Sequence, residues 1–62
     1  MYKHFESRDG LWVNVEKGED GETVLTIGEK GGGMFERKVT EKDLYFLGAV
    51  MFSAAQSAFP DD

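Results

Sequence analysis

Residues 34–59, MFERKVTEKDLYFLGAVMFSAAQSAF, hold the change of period that decides the fold. Up to Val39 the chain alternates as strands do; from Thr40 onward its apolar residues recur at helical spacing. Thr40 is a preferred N-cap, and Glu41 and Asp43 put negative charge in the first turn, where the helix macrodipole favours it. Thr40-Glu41-Lys42-Asp43 is a shortened capping box, with Val39 and Leu44 at the N′ and N4 positions of a hydrophobic staple. Pro60 is expected to stop the helix near Ala58 or Phe59, leaving Asp61-Asp62 as a frayed acidic end.

Working back from Met34, the sequence reads as strands and turns. Gly31-Gly32-Gly33 turns the chain into a fourth strand, Met34 to Val39, from a third spanning Glu22 to Glu29. Lys17-Gly18-Glu19-Asp20-Gly21 is long enough for a hairpin loop, and Asp9-Gly10 is a hairpin turn signal between Tyr2–Ser7 and Leu11–Glu16. Strand alternation puts Leu11, Val13, Val15, Leu25, Ile27 and Phe35 on one face. Trp12, Asn14, Val24, Thr26 and Met34 fall on the other, with Tyr2 and His4 expected beside them. The expected fold is α+β: a single small domain over residues 1–62, a four-stranded antiparallel β-meander followed by one C-terminal helix packed across the sheet.

The 62 residues hold 7 Lys and Arg against 12 Asp and Glu, a net charge of −5, with eight glycines and no cysteine. A domain this small buries only about 60% of the surface its unfolded chain exposes, and without disulfides it leans on a partner subunit. The acidic balance opposes general nucleic-acid affinity, which clustered Lys and Arg supply. No secretion signal is read at Met1-Tyr2-Lys3-His4-Phe5-Glu6, so a cytoplasmic location is the expectation.

The helix is too apolar for its place. From Leu44 to Phe59 sixteen consecutive residues carry no charge. Leu44, Leu47, Met51, Ala54 or Ala55, and Ala58 form the stripe a sheet would cover. Tyr45, Ala49, Phe52 and Phe59 form a second line, and Ala49, Ser53 and Ser57 line one edge with small side chains. Sixteen residues fall short of the roughly 17–25 of a membrane span. The first expectation is a homodimer through Tyr45, Ala49, Phe52, Ser53, Gln56 and Phe59; the competing ones are a sheet curled around the helix and a different protein partner.

The remaining constellations carry little chemistry. Ser7, His4 and Glu6 draw a hydrolase-like set with no oxyanion hole to accompany it. Glu16, Glu19, Asp20 and Glu22 gather around one loop without the ligand order of a calcium-binding loop. The three glycines run into Met34-Phe35-Glu36 and not into the Lys-Ser/Thr helix of a phosphate loop. The expectation is therefore no enzyme, no metal and no cofactor.

Two function classes follow. Size and acidity resemble the small accessory proteins of phages and mobile elements, among them anti-CRISPR and other anti-defence inhibitors. That resemblance implies a protein-interaction module blocking a basic nucleic-acid-binding surface, with Trp12, Glu16, Glu19, Asp20, Glu22 and Glu29 facing the partner. The alternative is a dimer binding single-stranded nucleic acid: a meander followed by a dimerising helix is similar in outline to the positive-cofactor family of single-strand-binding coactivators. There Trp12 would stack on bases while Lys30, Arg37 and Lys38, gathered around the glycine hairpin, contact phosphates.

Overall fold

The computed structural model describes residues 1–58. Four strands, β1 (Tyr2–Glu6), β2 (Leu11–Lys17), β3 (Thr23–Glu29) and β4 (Met34–Val39), precede one helix, α1 (Glu41–Ala58). The strands form one antiparallel sheet in chain order, as the meander of turn signals requires.

Each turn is built by the residues that announce it. Gly10 holds φ at 93° and donates its N–H to the Ser7 carbonyl, a conformation other residues rarely adopt. Ser7 joins this turn and leaves β1, because its Oγ accepts the Leu11 N–H at 3.0 Å. Glu22 is likewise drawn out of β3: its N–H donates to Asp20 Oδ1 at 2.9 Å, and its carbonyl accepts from Gly18. Side-chain acceptors compete here with the sheet ladder and win.

Register fixes the two faces. One rung runs Phe5, Val13, Ile27, Phe35 across all four strands, and the next runs Lys3, Val15, Leu25, Arg37. With Leu11 they make one apolar face, whose centre, Leu25, is 7% exposed. The opposite face carries Tyr2, His4 and Glu6 from β1, then Trp12, Asn14 and Glu16, then Val24, Thr26 and Gly28, then Met34, Glu36 and Lys38.

The helix begins as its capping signal demands. Thr40 alone separates it from β4, and Thr40 Oγ1 accepts the Asp43 N–H at 3.0 Å. Val39 and Leu44, on either side of the cap, are both half-buried, as the staple predicts. Lys17 Nζ reaches Glu41 Oε1 at 3.0 Å, tying the first turn to the end of β2. Both side chains are exposed, so the pair contributes at most about 1 kcal/mol.

Beyond that first turn the expectation of a helix packed across the sheet is corrected. None of the residues of α1 is buried. Leu47 is still 38% exposed and Tyr45 73%, and Phe46, Val50, Met51 and Phe52 all stand in the open. The helix leaves over the β4 end of the sheet, and neither the sheet nor the helix covers the other. The sheet does not curl around it either. Among the described residues Leu25 is the only buried hydrophobic side chain, with Thr23 and Thr26 buried beside it.

Candidate functional site

Three surfaces offer themselves, and each follows from strand alternation. The outer face centres on Trp12. Trp12 lies opposite Gly28 in the β2–β3 register, and its indole covers that glycine so closely that a Cβ there would sit 2.6 Å from the ring. The missing side chain lets the indole lie against the sheet, where Trp12 is half-buried. Neighbouring it, Tyr2 and His4 stack with centroids 6.4 Å apart and planes within 4°. Asn14 organises this pair: its Oδ1 accepts from Tyr2 Oη at 3.3 Å and bonds His4 Nδ1. That bond, then the Glu6 carboxylate 3.4 Å from Nε2, favour the protonated ring and raise the His4 pKa above its ordinary 6.5.

The roles of Asn14 and Gly28 are the part of this face that sequence reading misses. A signal for Gly28 existed, since an isolated glycine within a strand marks close approach of another group. Asn14 needed the β1–β2 register, which puts it directly opposite His4.

The acidic surface is the β2–β3 loop. Two backbone hydrogen bonds, Gly18 to the Glu22 carbonyl and Gly21 to the Gly18 carbonyl, hold it as a fixed turn. Glu16, Glu19, Asp20 and Glu22 are all exposed around it. Glu29 does not join them. It ends β3 at the far end of the sheet, six residues and about 20 Å from Thr23. Among the described residues no group of three or more His, Asp or Glu side chains could hold a metal ion.

The basic gathering expected around the glycine hairpin is dispersed. Lys30 stays at the β3–β4 turn, whereas Lys38 pairs with Val24 and Arg37 with Leu25 toward the other end of the sheet. Being consecutive, Arg37 and Lys38 also point to opposite faces. Lys38 alone shares the Trp12 face, together with the carboxylates of Glu6, Glu16 and Glu36. Of Ser7, His4 and Glu6, Ser7 Oγ accepts the Leu11 N–H in the turn, while His4 bonds Asn14 and Glu6.

The third surface is apolar and has two parts. Phe5 and Phe35, at the ends of their rung, are 55% and 54% exposed, and Leu11 is open beside them. A shallow depression of about 190 Å³ lies over Lys3, Phe5, Val13 and Val15. The helix is the other part. Tyr45, Ala49, Phe52, Ser53 and Gln56 are exposed together, with Tyr45 edge-on to Phe46 at 5.5 Å. Phe59, the sixth residue expected at a dimer contact, lies outside the described residues. An open cleft of about 380 Å³ between β4 and the start of α1, lined among others by Arg37, Asp43, Leu44 and Leu47, marks where the helix parts from the sheet. Among the described residues no helix is long and apolar enough to cross a membrane.

Comparison with known protein families, with curated proteins and with solved structures gives no match to this chain.

Proposed function

We propose that the chain is a non-enzymatic protein-interaction module that works as a homodimer and meets a basic protein partner through its acidic loop and outer sheet face. The observation that carries this reading is the uncovered apolar surface on both the sheet and the helix. Contiguous apolar surface on this scale marks an interaction site in a folded protein. Once two copies cover it, what remains outward is the Trp12 face, with Glu16, and the fixed turn bearing Glu19, Asp20 and Glu22. Carboxylates held on a rigid turn suit a partner that ordinarily binds phosphates, as an inhibitor of a nucleic-acid-binding protein requires.

A second reading, single-stranded nucleic-acid binding, has one observation in its favour: a half-buried Trp12 on the outer sheet face, the type of side chain on which bases stack. The charges beside it oppose the reading, because three carboxylates and one lysine share that face. One titration series separates the two. Molar mass in solution is expected to be that of a dimer. An oligo-arginine peptide is expected to bind in low salt, and the combined change Glu19→Gln, Asp20→Asn, Glu22→Gln to weaken it about tenfold. Equal binding by that variant would sink the acidic-partner reading. Saturable quenching of Trp12 by an oligothymidylate probe would put the nucleic-acid reading in its place.

A further inference from the structure

The uncovered helix and the uncovered sheet face belong to one chain, yet they do not meet within it. A compact protein of 62 residues has an accessible surface of about 4,000 Å², whereas this chain exposes 5439 Å². Its radius of gyration is 13.3 Å against about 11 Å for a compact chain of this length. The excess is roughly 1,400 Å² per chain, or roughly 2,800 Å² for two, which lies within the range buried by obligate homodimers.

We propose that the apolar sheet face of each copy seats the distal half of α1 from a second copy, the two helices being exchanged reciprocally. The inference rests on the homodimer reading above and states what that dimer buries. Leu44, Leu47, Met51 and Ala55 form one helical line, half-buried at Leu44 and 38% and 57% exposed at Leu47 and Met51. The seat is the rung Phe5, Val13, Ile27, Phe35 with Leu11 beside it. Its charged residues, Lys3, Lys17, Glu29 opposite Leu11, and Arg37, lie around the apolar centre, are exposed in the single chain and can stay solvated. The helix brings no charge after Asp43, so no ion is stranded between the two. A contact made by the helices alone, through Tyr45 and Phe52, would leave this sheet face in water.

Adjacent residues of β4 provide the test. Phe35 points to the proposed seat and Met34 to the outer face, and both are exposed in the single chain, so neither substitution removes a core residue. Phe35→Ser is expected to raise the dimer dissociation constant roughly tenfold or more while Met34→Ser leaves it unchanged. Equal effects of the two would overturn the proposal. In a dimer refolded from isotope-labelled and unlabelled chains, intermolecular NOEs are expected between the Met51 and Ala55 methyls and the Phe5 and Phe35 rings. A dimer showing intermolecular NOEs only between helices overturns the exchange and leaves the homodimer standing; a monomer at millimolar concentration overturns both.

Discussion

At Gly28 a single absent methyl group shapes the outer face. The Trp12 ring occupies the space in which a Cβ would lie, so Gly28→Ala must lift the indole off the sheet. Overpacking of this kind costs about 1–3 kcal/mol; the expected outcome is a lower denaturation midpoint with red-shifted Trp12 emission. His4 gives a pH signature on the same face. Its raised pKa means that folding is favoured by the charged ring below 6.5, and that this contribution disappears as pH rises through the higher folded-state value. Ring titration followed by NMR should therefore show a midpoint above 6.5, and Asn14→Ala should lower it by removing the largest cause. Arg37 and Lys38 show why part of the site was illegible in the sequence. Adjacent in the chain, they look like one basic spot, but the two-residue period of a strand sends them to opposite faces.

Among the elements, those specified by local chemistry were legible and the one specified by long-range packing was not. Asp9-Gly10, the triple glycine and Thr40 all do in the structure what their side chains and φ preferences dictate, and only Ser7 and Glu22 shift from strand to turn. The position of α1 depends on which surface covers Leu47, Met51 and Phe52, and an apolar pattern states that a cover is needed without naming it. The cap itself is testable. Thr40→Ala removes the acceptor of the Asp43 N–H, and should cost about 1 kcal/mol, read from the denaturant midpoint together with reduced helical ellipticity. Thr40→Ser keeps the acceptor and should restore most of the loss.

For the whole molecule, the sheet is assembled entirely from neighbours in sequence, while in the proposed dimer the surface that closes its core comes from a second chain. The single residue between β4 and α1 then acquires a role of its own. A helix on a flexible tether would meet its own sheet at an effective concentration in the millimolar range, and a second copy could rarely compete. Thr40 is too short a tether for that, which leaves the sheet open to helices from other chains. Inserting four or five Gly and Ser residues between Val39 and Thr40, which keeps the Thr40 cap, should therefore turn the proposed dimer into a closed monomer with the same helix content, as measured by molar mass and circular dichroism. If so, subunit number in this protein is set by the length of one connection, and can be rewritten without touching a residue of the interface.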